Sequence, residues 1–297
     1  MLALSARRPV LALALSLAGL ILPGCVFGPV HLEEETRDMR IEHVTGKPVN
    51  VATDNGRVEV RADSTASDVH VVALLKAQTT DRLERSKVVA TREADGSLNL
   101  GVQWADGRPL NSEGCSFNVV VPDALGTDIR TGNGTVRLEG LGGNATIRTS
   151  NGRIEATDQG GSVRADTSNG HIIITRPAGA VHARSSNGTI EVLNAPSSVD
   201  ADSSNGRIAI SLTDDSAGPV RADTSNGRIE FTVGRGFLGR LTLRTSNARI
   251  SADPQLGSRT QMRTVQVING SGTMQFGEGG SDSTFSTSNG SIDVRAR

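Results

Sequence analysis

Aromatic residues are scarce in this 297-residue chain, which has no tyrosine, one tryptophan and six phenylalanines. Such rings dominate most protein cores, so the interior expected here is thin and built from Val, Ile, Leu and Ala. The same scarcity removes the aromatic platforms on which sugar rings stack in polysaccharide-processing clefts. Cysteine is almost missing too, with Cys25 and Cys115 alone. No charge of one sign prevails: 31 basic and 32 acidic residues are interspersed and leave a net charge of −1. Without a basic block, nucleic acid is excluded as an expected partner. Long apolar runs are absent but for residues 10–22, and that run is short of the ~20 residues a transmembrane helix needs.

What stands at the N-terminus is a targeting pattern. Arg7 and Arg8 precede the apolar run, and Leu22-Pro23-Gly24-Cys25 follows it. This sequence resembles the lipobox of bacterial lipoproteins. The resemblance implies that residues 1–24 are a signal peptide and that Cys25 becomes the lipid-modified N-terminal residue, anchoring the chain to a membrane. Val26 stands where an aspartate retains enterobacterial lipoproteins at the inner membrane, so the implied address is the cell envelope, at the outer membrane where the source has one. With Cys25 committed to lipid, Cys115 has no disulfide partner and is expected as a buried thiol in an apolar strand. Residues 25–40, polar and acidic, are expected to form a tether carrying the lipidated cysteine.

The rest of the chain is periodic. Asn-Gly recurs at Asn133, Asn151, Asn169, Asn187, Asn205, Asn226, Asn269 and Asn289, with Asn247-Ala248 in the same role, at steps of 18 to 22 residues. Aligned on the asparagine, apolar residues fall six and four before it (Val163 and Ala165, Val181 and Ala183) and three and five after it (Ile172 and Ile174, Ile190 and Val192). Charged residues occupy the positions between. This period of two on both sides of a turn is that of two short strands with one buried face each. Asn-Gly also favours hairpins, but an antiparallel meander would leave its apolar face open, with nothing in the repeat to cover it. Coiling closes that face on itself. The expected fold is therefore all-β, a single-stranded β-solenoid with stacked repeats over residues 127–297, in which Asn and Gly take the corner through their tolerance of positive φ.

Residues 41–126 form a separate N-terminal β part. Residues 49–60 obey the template around Asn55-Gly56, residues 69–76, 97–104 and 117–121 have strand character, and residues 80–87 allow one short helix. The run Val119-Val120-Val121-Pro122, the stretch from Asp128 through Gly132-Asn133-Gly134, and the Thr-Ser-Asn-Gly-Arg-Ile-Glu units resemble a family of bacterial β-strand-repeat proteins of unknown function called putative adhesins. The likeness spans residues 40–297 and implies the fold, without implying a chemistry.

Gly234-Arg-Gly-Phe-Leu-Gly239 matches a dinucleotide fingerprint but runs into another repeat strand rather than a helix, so it is a turn between coils and no cofactor is expected. His31, His43, His70, His171 and His182 have no metal-ligand spacing, and no metal is expected. Asp166, Asp202 and Asp223 share a ladder with Arg148, Arg184 and Arg244, which suits charge balance better than acid–base work. Two residues after the asparagine, Arg153, Arg207, Arg228 and Arg249 form a candidate partner-binding ladder for an anionic glycan or an envelope protein. The expectation is a non-enzymatic, lipid-anchored envelope solenoid for adhesion or partner binding; a carbohydrate-active β-helix enzyme and a ligand-free envelope-stress scaffold are the alternatives. The last coil, residues 281–297, is expected to lie at an open end, blunted by its serines or stacked on another molecule.

Overall fold

The computed structural model describes residues 32–268 and 270–297. Cys25, the signal segment, His31 and Asn269 lie outside the described residues. The chain begins with strand β1 (Glu33–Ile41), then turns once through β2 (Val49–Asn55) and β3 (Val58–Ala62). An excursion follows through β4 (Val69–Ala77), helix α1 (Thr80–Arg85), the hairpin β5 (Lys87–Arg92) and β6 (Leu98–Gln103), and β7 (Gly114–Val121). Six coils come next: β8 (Gly126–Asn133) with β9 (Val136–Glu139), β10 (Asn144–Thr149) with β11 (Ile154–Thr157), β12 (Val163–Thr167) with β13 (Ile172–Thr175), β14 (Val181–Ser185) with β15 (Ile190–Ala195), β16 (Val199–Ser203) with β17 (Ile208–Leu212), and β18 (Val220–Thr224) with β19 (Ile229–Val233). The chain continues through β20 (Gly239–Thr245) and β21 (Ile250–Ala252), helix α2 (Leu256–Arg259), the hairpin β22 (Met262–Ile268) and β23 (Ser271–Phe276), and finally β24 (Ser283–Thr287) with β25 (Ile292–Ala296).

Each coil gives one strand to each of two sheets, of 12 and 13 strands, and neighbouring coils pair in parallel and in register. The fold is the expected β-solenoid. Val163, Val181, Val199 and Val220 stack in one sheet, and Ile154, Ile172, Ile190 and Ile208 in the other, all with side chains buried. Small Ala165, Ala183, Ala201 and Ala222 alternate with the valines, which holds the core thin without aromatic filling. Toward the C-terminal end this changes. Phe231, Phe237, Phe276 and Phe285 meet edge to face at centroid distances of 5.0–5.4 Å and thicken the core there.

The corner chemistry differs from the expected one. Among the repeat's Asn-Gly pairs that are described, only Gly56 has a left-handed φ; the left-handed residues Gly140, Asp158, Arg176 and Asn194 stack at the opposite corner, after the second strand. Asn and Gly are selected for other reasons. The asparagines form a continuous amide ladder, each Nδ2 donating to the Oδ1 of its neighbour at 2.6–2.8 Å, in the spatial order 55, 133, 151, 169, 187, 205, 226, 289, 247. The glycines let coils approach, since a Cβ on Gly170 or Gly188 would lie 1.7 Å from the carbonyl oxygen of the glycine one coil below. Two residues before each asparagine a buried hydroxyl closes the corner. Ser185 Oγ accepts from Gly188 N at 2.8 Å and donates to Gly170 O at 3.0 Å, and Ser203, Thr224, Thr287 and Thr245 donate likewise.

Both ends depart from simple stacking. At the N-terminal end β4 lies between β1 and β7, while β5 and β6 extend the other sheet. The tether expected over residues 25–40 is therefore shorter: from Glu33 onward the chain is strand β1, held on β4 by alternate burial of Met39 and Ile41 and by Lys76–Glu34 and His70–Asp38 pairs. The expected helix is present as α1, capped by Thr79 Oγ1. Arg82 on that helix forms a bidentate pair with Glu113, whose side chain is fully buried, at 2.7 Å through each oxygen. This bond to Arg82, helped by the Leu110 and Gln78 amides, holds the Glu113 carboxyl down at about 2 against the cost of its burial. The Glu113 carbonyl in turn accepts from Asn55 Nδ2 and starts the amide ladder. Cys115 is the expected buried thiol, pushed up to about 12 by its burial.

At the other end the order of the coils is not that of the sequence. The last coil, β24 with β25, lies between β18/β19 and β20/β21, paired in parallel on both sides. The expectation of an open terminal coil at residues 281–297 is thus overturned, because β20/β21 and the β22–β23 hairpin, which come earlier in the chain, stand outside it. Strands β22 and β23, on either side of the Gly270 position, pair antiparallel with each other, so no coil of the stack is formed by them.

Candidate functional site

The outer face of the 13-stranded sheet carries three ladders, five, three and one residue before the asparagine. Strand alternation puts them there: Val163, Ala165 and Thr167 of β12 point inward, so Arg164, Asp166 and Ser168 point out. Registered stacking then aligns Thr146, Arg164, His182, Asp200 and Arg221 in one row, Arg148, Asp166, Arg184, Asp202 and Asp223 in the next, and Ser150, Ser168, Ser186 and Ser204 beside the amide ladder. Between the second row and the asparagine corner runs a groove of about 1190 Å³, crossing six coils from Asp54 to Ser204. Its lining is serine and threonine hydroxyls, the Asn55 and Asn133 amides and charges of both signs, with Arg130, Arg148 and Arg184 set among Asp54, Asp166 and Asp202.

Pairing along these rows is partial. Arg164 meets Asp166 at 3.1 Å, His182 meets Asp200 at 2.9 Å, and Arg221 bridges Asp200 at 3.7 Å and Asp223 at 3.2 Å. Arg148 lies 3.7 Å from Asp128 and 4.0 Å from Asp166. Arg184 and Asp202 are exposed neighbours in the same row, yet neither makes an ion pair within 4.0 Å among the described residues. Their polar atoms face the groove. Asp223 sits above the usual carboxylate range because of its burial, with Asp202 and Asp200 adding to the rise and Arg221 opposing it. Among the described residues no group of three or more His, Cys, Asp and Glu is placed to hold a metal ion.

The ladder expected from the sequence lies on the opposite sheet and is not continuous. His171 and Thr189 separate Arg153 from Arg207 in the stack, and Ser291 separates Arg228 from Arg249. Arg153 pairs with Glu155 at 3.2 Å, Arg207 bridges Glu191 and Glu230, and Arg228 bridges Glu230 at 3.4 Å and Asp293 at 3.6 Å. Arg249 is exposed without an ion pair within 4.0 Å among the described residues. Only a shallow depression of about 230 Å³ forms there, between Arg153 and Arg207. The inserted coil makes the second of these breaks, which sequence order could not reveal, whereas His171 and Thr189 stand between Arg153 and Arg207 in the sequence itself.

Gly234 to Gly239 is the expected turn, placing Phe237 in the core and leading into β20 rather than a helix. The serine ladder was missed by sequence reasoning, although Ser-Asn-Gly at every step was its signal. No described helix is long and apolar enough to cross a membrane.

No protein-family model matches the chain, and no curated protein matches it. Solved structures do resemble it. A "putative adhesin" of Bacteroides fragilis NCTC 9343 aligns over 89% of this chain and 97% of its own, at 13% identity and a TM-score of 0.46. Another "putative adhesin", of Parabacteroides distasonis ATCC 8503, aligns over 88% and 97%, at 11% identity and a TM-score of 0.43. A "putative cell adhesion protein" of Clostridium sporogenes ATCC 15579 aligns over 90% and 100%, at 9% identity and a TM-score of 0.25. These are the kinds of protein this chain is similar to, and their names are those of the resemblance drawn from the sequence.

Proposed function

We propose that this chain is a non-enzymatic, lipid-anchored cell-envelope protein whose solenoid displays a glycan-binding face for adhesion. The observation that carries the reading is the long groove beside the amide ladder. It offers hydroxyls, amides and guanidinium groups at a fixed repeat over six coils, which suits an extended polymer with many hydroxyls of its own. Its charges balance, three arginines against three aspartates, so recognition rests on hydrogen bonds more than on net charge. The row also has no coil that departs from the pattern with a clustered acid, base and cation, which speaks against a hydrolytic site. Cys25 is the anchor in this reading, and the outer membrane is its address where the source has one.

The test is a glycan-array screen of the full chain in detergent, at low and high salt, with Arg184→Ala and Ser168→Ala alongside. Binding that survives salt and falls at least tenfold in both variants supports the groove. Salt-sensitive binding lost instead on changing Arg207 and Arg228 to Ala moves the site to the opposite sheet and an anionic glycan. Absence of binding throughout sinks the adhesion reading in favour of a scaffold, and absence of labelled lipid that depends on Cys25 removes the anchor.

A further inference from the structure

The last coil is an insert. Residues 283–287 and 292–296 enter a slot whose two walls, β18/β19 and β20/β21, come earlier in the chain. All of its bonds to those walls are the ordinary ones between coils. Phe285 registers with Ala222 on one side and Leu243 on the other, and Ile292 with Ile229 and Ile250. Asn289 donates to Asn226 and accepts from Asn247, both at 2.7 Å. Thr287 Oγ1 donates to Gly227 O, and Thr245 Oγ1 donates to Gly290 O, both at 3.0 Å. Arg297 reaches further, to Asn194 Oδ1 at 2.8 Å and to the Leu212 carbonyl.

On its N-terminal side the coil is joined to the walls by the segment 277–282, with left-handed Gly277, Gly279 and Gly280. That segment passes from β23, on the outer side of β20, across Leu238 and Gly239 to β24 on its inner side. Nothing in the slot distinguishes the chain's own coil from that of another molecule. We infer that the slot is a coil-accepting site and that a second copy of this chain can fill it with its own residues 281–297, giving a dimer joined by exchanged terminal coils. The exchange preserves every hydrogen bond between the coil and its walls, and puts at stake only those of the segment itself, such as Arg263 to Glu278. Only the path of the glycine-rich segment changes, so its length decides between the closed and the exchanged form.

The experiment shortens that segment in the full chain by deleting residues 278–281. Strands on either side of β20 are about 9.6 Å apart, at ~4.8 Å per strand. The two residues left, Gly277 and Asp282, span that only along a straight line through the backbone at Gly239. The deletion variant is expected to sediment at twice the parent's molar mass, with its terminal coil protected from protease. A monomer of unchanged thermal midpoint, or a monomer whose terminal coil is digested, overturns the inference. A second measurement guards against misfolding of the variant. Two differently tagged copies of the unaltered chain, unfolded in urea and refolded together at high protein concentration after its removal, should trap a mixed-dimer fraction beside the monomer, and excess synthetic peptide of residues 281–297 should suppress that fraction at least fivefold. Mixed dimers that ignore the peptide, or none at all, overturn the inference equally.

Discussion

Replacing Gly188 by alanine tests the idea that coil spacing at the asparagine corner is set by the absence of a side chain. The added Cβ would stand 1.7 Å from Gly170 O, 2.4 Å from Gly170 C and 2.9 Å from Ser185 Oγ. Backbone atoms cannot swing aside as a flexible side chain can, so the coils must part by roughly 1.5 Å to restore an ordinary contact near 3.2 Å. That movement breaks the 2.7 Å bond between Asn187 and Asn169, the 3.0 Å bond from Ser185 to Gly170 O, and the 3.0 Å bond from Asn187 N to Ser168 O. Overpacking costs about 1–3 kcal/mol and each of the three lost bonds about 0.5–1.5 kcal/mol, so roughly 2.5–7.5 kcal/mol is expected in all. With a urea m-value of about 3 kcal/mol/M, the midpoint by far-UV circular dichroism should fall by about 1 M or more. Gly101→Ala is the matched control, because its Cβ would have nothing nearer than Ala52 O at 3.6 Å and its φ is not left-handed. Its stability should stay within about 1 kcal/mol of the parent. If Gly188→Ala were as stable as Gly101→Ala, close approach would not be what fixes glycine in the repeat.

Two further outcomes follow from the ladder and from the N-terminal end. Asn187→Ala removes one donated and one accepted amide bond at an exposed corner where water can replace them, and should cost only about 1–2 kcal/mol by urea titration. Asn187→Asp should cost at least as much, since a carboxylate has no N–H for Asn169 Oδ1. Glu113 is held at about 2 in the folded chain against an ordinary 4.5, so its stabilisation is present above pH 4.5 and drains away as the pH falls towards 2. Acid unfolding followed by fluorescence of Trp104, buried nearby with its indole N–H on Asp54, should begin in that window. Arg82→Met, which strands the carboxylate, should cost about 3–5 kcal/mol at neutral pH and be least harmful in acid.

The coil was legible because its signal is redundant. Every strand repeats the same inward positions, and the Val and Ile rows were readable from the asparagine outward. The reason for Asn-Gly was not, because positive φ and a side-chain ladder select the same residue types. The ladder exists only between coils, which one repeat taken alone does not show. Asn269 was misread as a corner, though the sequence held the warning: Val267 stands where other repeats have a buried Thr or Ser, and Gly272 where they have an Ile or Val. The insertion of β24/β25 was invisible for a deeper reason. All coils share one template, so sequence fits the last coil equally well at the end of the stack or within it, and the choice is made by the hairpin β22–β23 and the phenylalanine cluster around Phe285. The candidate groove was missed for another reason: coils β8 to β16 follow one another in the sequence, but a concavity beside the asparagine corner belongs to the stacked surface and not to any one repeat.

The nine asparagines all point the same way. Each side-chain N–H faces the coil nearer the Glu113 end, whereas backbone amides along the strands alternate in direction and largely cancel. The row is therefore an arrow, an uncancelled line of dipoles running the length of the solenoid, in which each bond polarises the next. An arrow has a head and a tail, so a coil offered upside down would set carbonyl against carbonyl and amide against amide at every corner. Whatever joins this stack, from the chain itself or from outside it, is sorted by orientation before its apolar residues are compared.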